Sequence, residues 1–222
     1  MDQTIVLVHT VSPLIAVFDR LAATLLPGVR LKHILDEPLL EAISQRGGLA
    51  DMDAWRLLAH VSLAEQIGAR AVLVTCSTAS PLVDQVRKRA HLAVFKIDEA
   101  MISQAVESAA HLGVLATNPL TLPPTRQLLE QQAERAGRQV EIELVLVEGA
   151  FQAFLSGDGA LHDRLVRQAY LDLAPRVGAV VLAQASMARV LEVLPPEERP
   201  VPLFSSPHLV LEAVGKYLAI HG

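Results

Sequence analysis

Short apolar runs alternate with longer stretches in which apolar positions recur every three or four residues, along the whole chain. The short runs predict strands near 4–9, 29–35, 70–75, 92–97, 113–117, 139–147, 178–183 and 201–205. The longer stretches predict helices near 13–26, 51–67, 79–90, 98–110, 119–136, 160–174, 187–194 and 207–220. Strand and helix in steady alternation is the pattern of an α/β protein, because parallel neighbours need a crossover connection and a helix supplies it.

The pattern repeats. A shift of 108 positions sets Val6–Thr10 on Val114–Asn118 and Ala71–Thr78 on Ala179–Ser186. One residue more sets Val94–Lys96 on Leu203–Ser205, and the helix from Glu99 on the one from His208. Any two apolar strand–loop junctions resemble each other, but several in order at nearly one offset predict two similar halves. Parallel sheets bind ligands beyond the carboxyl ends of their strands. If the halves face one another, the ends His9-Thr10, Cys76-Ser77-Thr78, Thr117-Asn118 and Gln184-Ala185-Ser186 line one cleft, with Cys76 and Gln184 as opposite numbers.

Composition narrows the classes of partner. The chain has 222 residues, a net charge of -5 and 4% aromatics, with no cluster of Lys and Arg, which speaks against a nucleic-acid surface. Its apolar runs are too short to span a bilayer, so no membrane partner is expected. The first residues run straight into a strand without an export signal, and one cysteine forms no internal disulfide, so the expected compartment is the cytoplasm. Neither G-x-x-x-x-G-K-[ST] nor G-x-G-x-x-G occurs, and no cysteine pair or histidine spacing suits zinc. No metal and no cofactor are expected. Few aromatic residues are available to wall a ring, and small molecules are the expected partners.

Cys76 sits in "RAVLVTCSTAS" (70–80), where an apolar run gives way to hydroxyl residues and Pro81 opens a predicted helix. A helix N-terminus there favours thiolate and can hold a carboxylate. Free cysteines often simply pack, but the strand-end position and the hydroxyl-rich loop favour a chemical role. Thr117 and Asn118 in "GVLATNPLT" precede Pro119 and suit either a helix cap or a ligand's oxygens. His9 in "VLVHTVSPL" suits a base, an acid, an anion donor or a hydrogen-bonded structural histidine, and His208 in "SSPHLV" is placed similarly.

At these residues the chain resembles the aspartate/glutamate/hydantoin racemase superfamily. The stretches that carry the resemblance are "VTCSTAS" (74–80), "HLGVLATNPLT" (111–121), "VVLAQASMA" (180–188) and the N-terminal "VLVHTVSPL", in order over nearly the whole chain. The resemblance implies two similar α/β domains with parallel sheets flanked by helices, pseudo-twofold related, with the site at their interface. The first domain is expected at 1–110 and the second at 111–206, with the C-terminal helix 207–222 packing back on the first. It also implies cofactor-independent chemistry beside a carboxylate, and a homo-oligomer.

Racemases of this family use two thiols, one on each face of the substrate carbon. Here the first is Cys76, and Gln184 stands at the position of the second. An amide has no useful proton-transfer pKa near neutrality, so the two-thiol mechanism is unavailable. Arylmalonate decarboxylases resemble the converse case, with one thiol at the second position, and maleate isomerases are similar in using the first as a nucleophile. The expectation is a one-thiol isomerase or decarboxylase acting on a small carboxylate or dicarboxylate. Cys76 would be catalytic, and His9, Thr10, Ser77, Thr78, Thr117, Asn118, Gln184, Ala185 and Ser186 would bind substrate. The alternatives are an amino-acid or hydantoin-type racemase or epimerase with His9 or His208 as a non-thiol second base, and a non-catalytic carboxylate-binding protein.

Overall fold

The apolar runs form strands at each of the predicted positions, and the strands group into two four-stranded parallel sheets. The computed structural model describes residues 3–221. The elements begin β1 (Gln3–His9), α1 (Leu14–Leu25), β2 (Val29–Leu35), α2 (Glu37–Arg46), α3 (Asp51–Gln66), β3 (Ala71–Val74), α4 (Val83–Arg87) and β4 (Ala93–Lys96). They continue α5 (Glu99–Ser108), β5 (His111–Ala116), α6 (Leu122–Arg135), β6 (Glu141–Leu146), α7 (Ala150–Leu155), α8 (Gly159–Leu173), β7 (Ala179–Leu182), α9 (Val190–Val193), β8 (Leu203–Ser205) and α10 (Ser206–His221). The pattern did not predict α2 or α7. Helix α2 turns only Leu39 and Ile43 fully inward, too few for an apolar period to stand out. It is set instead by Asp36, whose side chain accepts from the Leu39 N–H, and by Pro38 in its first turn.

The chain divides into two compact units, one ending at Ile97 and resuming at Pro207, the other Asp98–Ser206. Helix α5 therefore groups with the second unit, where it packs on β7 and β8, and the division falls before it rather than at 110. Within the first unit, Tyr217 of α10 meets Phe95 edge-on, and the Arg70 guanidinium donates to the carbonyl of His221.

Both sheets have the same strand order, β2-β1-β3-β4 and β6-β5-β7-β8. In each, the two middle strands are buried along almost their whole length, β3 and β7 at every position, while the outer strands are partly exposed. That is the burial of a parallel sheet covered on both faces. Gly113 in β5 lets the second sheet be covered closely: a Cβ there would lie 2.6 Å from Leu173 Cδ2 at the end of α8.

Register refines the repeat. Val74 and Leu182 correspond at the shift of 108, but their partners in the neighbouring strand are Val8 and Leu115, one less. The bonds at the strand ends agree, Thr75 N–H to Val8 O in one sheet and Ala183 N–H to Leu115 O in the other. So His9 corresponds to Ala116 and Thr10 to Thr117, whereas the uniform shift set His9 on Thr117. A loop between the strands is longer by a residue in the second half, which a sequence offset cannot reveal. Cys76 and Gln184 remain counterparts.

Candidate active site

In each sheet the chain steps outward in one direction from the first strand and returns on its other side, so the crevice that binds ligands in such sheets opens at the carboxyl ends of β1 and β3, and of β5 and β7. Cys76 lies at the first of these places, two residues past β3, buried to 7% exposure. Thr10, Ser77 and Thr78 are buried beside the same strand ends in sequence. The helix expected from residue 79 is shorter than its pattern suggested. A turn covers 77–79, a 3-10 turn follows at Ser80–Leu82, and α4 has only five residues. A macrodipole acts through its first turn and needs length behind it, so the helix contributes little to the thiol. The turn closes through the backbone, with Ser80 N–H bonded back to Ser77 O.

From Thr75, the residue before Cys76, a polar chain runs by way of His9, buried like Thr75, out to exposed Asp19. Thr75 Oγ1 is 2.9 Å from His9 Nδ1, His9 Nε2 is 2.9 Å from His33 Nδ1, and His33 Nε2 is 3.0 Å from Asp19 Oδ1. At the inner end Thr75 Oγ1 also lies 3.0 Å from Val8 O. Both ends, a carbonyl and a carboxylate, only accept. Thr75 and two neutral imidazoles hold three protons for these four links, so all four are hydrogen bonds only when one ring is an imidazolium. Burial, and then the neighbouring His33, push the His9 pKa down from 6.5 to about 4. His9 is therefore neutral at pH 7. With 0% exposure and both ring nitrogens engaged, His9 is held as a structural link.

The second unit answers with different chemistry. Gln184, at the carboxyl end of β7, turns its Oε1 onto the end of β5, where it accepts from Thr117 N–H (2.6 Å), Asn118 N–H (3.0 Å) and Thr117 Oγ1 (3.0 Å). The Asn118 side chain caps the following turn by accepting from Leu120 N–H at 3.0 Å. Ala185 and Ser186, both buried, open the 3-10 turn Ala185–Arg189. The structure thus brings Thr117, Asn118 and Gln184 into one cluster. His208 lies on α10, half-exposed, with Nδ1 3.5 Å from Glu212.

Sequence reading missed two polar clusters, one in each unit. At the end of β2, Asp36 accepts from Arg56 through Nε (2.7 Å) and Nη2 (2.5 Å) and from His60 Nε2 (2.7 Å). Burial pushes that carboxyl up, but the bonds from Arg56 and His60 outweigh it and hold it below the ordinary range. After Gln184, Arg189 donates to Asp163, which also pairs with the fully buried His162. A Cβ on Gly159 would lie 2.6 Å from Arg189 Nη2, so a larger residue there would make the guanidinium shift. Period-two spacing puts His33 on the face of His9 once β1 and β2 are paired with Leu7 opposite His33. That register was the missing signal. A groove of about 780 Å³ in the second unit lies at the other ends of β5 and β6, lined by His111, Glu130, Glu134, Arg138 and Glu141, and includes none of the candidates.

Solved structures with this architecture align over almost the whole chain. A glutamate racemase of Bacillus anthracis is 16% identical, with a TM-score of 0.74 over 99% of this chain and 83% of that one. An allantoin racemase from Klebsiella pneumoniae is 18% identical at 0.74, over 99% and 89%. An aspartate racemase of Picrophilus torridus is 12% identical at 0.76, over 98% and 94%. At such identities they speak for the fold alone. A comparison with curated protein sequences finds no match. The model of the Asp/Glu/Hydantoin racemase family, however, matches residues 10–214, which takes in both strand-end clusters. The chain belongs to the Asp/Glu/Hydantoin racemase family.

Proposed function

We propose that the protein is a cofactor-independent enzyme acting beside the carboxylate of a small carboxylate or dicarboxylate, with one thiol, as an isomerase or a decarboxylase. One observation carries the reading: Cys76, the chain's single cysteine, stands at the ligand-binding end of β3, and an amide stands at the matching end of β7. In a decarboxylation the substrate loses carbon dioxide and keeps the electron pair as an enediolate. The Cys76 S–H then gives its proton to that carbon, and the thiolate recovers a proton from water. In an isomerisation the Cys76 thiolate instead adds to one carbon of the substrate's double bond, whose electron pair passes to the neighbouring carboxylate as an enediolate. The carbon–carbon bond, now single, rotates, and expulsion of the thiolate re-forms the double bond in the other geometry. The hydroxyls of Ser77 and Thr78 and the N–H groups of their turn are the donors suited to the substrate's oxygens, and one well-aimed donor is worth about 3–4 kcal/mol in the transition state.

The test offers the protein 2-substituted malonates, maleate and α-amino dicarboxylates. Carbon dioxide release, isomer ratio and α-hydrogen exchange are followed together, beside Cys76→Ser. Turnover of any of these that disappears in Cys76→Ser supports the reading. Turnover that survives removes Cys76 from the mechanism, and the absence of all three signals with every carboxylate argues against a catalytic role.

A further inference from the structure

We infer that Gln184 is a fixed amide donor to a ligand's carboxylate or enediolate oxygen, and that Thr117 and Asn118 are positioning residues that aim it. This rests on the small-carboxylate reading above. Backbone N–H groups only donate, so the atom that Thr117 and Asn118 both approach has to be the carbonyl oxygen of the amide. These two donors fix the orientation of the amide. With three donors on Oε1, its two lone pairs are fully used, and the N–H groups of Thr117 and Asn118 are directed at Gln184. The Asn118 carbonyl oxygen is occupied as well, by Leu120 N–H.

Nε2 is what remains. The side-chain bonds of Gln184 among the described residues all fall on Oε1, and the residue is only partly buried, which leaves the two N–H donors of Nε2 for a ligand. The backbone beneath is held too, since Met187 N–H bonds to Gln184 O. The side-chain torsions that a free glutamine would lose on binding are already fixed, which is the condition for a preorganised donor. A cluster of N–H groups at a strand end is by itself a place for an anion. Here an amide fills it and passes the donor role on by the length of one side chain. The ligand it suits is one with a carboxylate or an enediolate oxygen, and the amide stabilises charge there without supplying a proton.

The experiment is a titration of ¹⁵N-labelled protein with malonate and with succinate, read by NMR. The Gln184 side-chain NH₂ signals should move most, while the Thr117 and Asn118 amides keep their hydrogen-bonded positions. Gln184→Ala should weaken malonate about tenfold or more. Gln184→Glu keeps an oxygen for the clamp but turns the outward donor into a carboxylate, and should weaken it about a hundredfold. Thr117→Ser, which keeps both clamp contacts, should bind as the wild type does. Thr117→Val should bind a few-fold more weakly and broaden the Gln184 signals. Tighter or unchanged binding by Gln184→Ala, or movement mainly of the Thr117 and Asn118 amides, overturns the inference by showing that the ligand displaces Gln184. Failure of the wild type to bind either anion counts against the carboxylate reading as well.

Discussion

The two sheets share a strand order and differ in what they carry at the same places. Where the first has His9 and Thr75 at the ends of β1 and β3, the second has Ala116 and Ala183. Where the first has Cys76, the second has Gln184. The polar chain of the first unit lies beneath its strand ends and leads toward the surface at Asp19, whereas the second unit has apolar residues beneath and a clamped amide above. Asp36, bound by Arg56 and His60, corresponds to Val147. One architecture therefore supports two kinds of strand end, and few residues decide which.

The largest effect that separates the halves should be catalytic. Cys76→Ser should lower turnover by about 10³-fold or more, because a hydroxyl is too weak an acid to replace the thiol. Circular dichroism should show the fold intact. Next comes Asp36→Ala, expected to cost about 3 kcal/mol in urea unfolding, since it removes a helix cap and the hydrogen-bond partner of Arg56 and His60. The wild-type contribution is present above the ordinary carboxylate range and is lost as pH falls through the depressed value.

The polar chain should make stability depend on pH. His9 has a folded pKa near 4 against 6.5 ordinarily. Between these values the unfolded chain holds a proton that the folded one refuses. Stability should therefore climb with pH across that window, by at most about 1.4 kcal/mol per unit from this group, and its share should be complete above it. Urea midpoints from pH 4 to 7 measure the slope, and the double variant His9→Ala, Thr75→Ala, which copies the second unit, should flatten it. An unchanged slope would move the effect to another group. The smallest effect runs the other way. Ala183→Thr puts the hydroxyl of the first unit into the fully buried place in the second, where Ala116 offers it no ring nitrogen, and should cost about 1–2 kcal/mol.

Much of this was legible in the sequence because parallel strands buried on both faces leave continuous apolar runs, and Ala71–Val74 and Ala179–Leu182 are such runs. The racemase-family resemblance was legible at the strand-end loops, since "VTCSTAS" and "VVLAQASMA" keep their order around the repeat. Helix α2 was not, because a cap and two apolar contacts define it rather than a period. The one-residue slip between His9 and Ala116 was hidden because hydrogen bonds, not composition, set register. For the same reason no pattern announced that His33 and Asp19 join His9, or that Gln184 reaches back to Thr117. Those contacts link residues 24 and 67 positions apart.

The central proposal is that this chain works with one thiol, Cys76, and that its counterpart Gln184 moves no proton. Its most direct test is the stereochemical fate of a chiral carboxylate that the enzyme deprotonates in deuterium oxide, followed by deuterium incorporation and chiral chromatography. The wild type should exchange the α-hydrogen through Cys76 and keep the configuration, while Gln184→Cys should gain slow inversion because it adds a second thiol. Inversion by the wild type at the rate of exchange would show that a second base already operates, and would contradict the account.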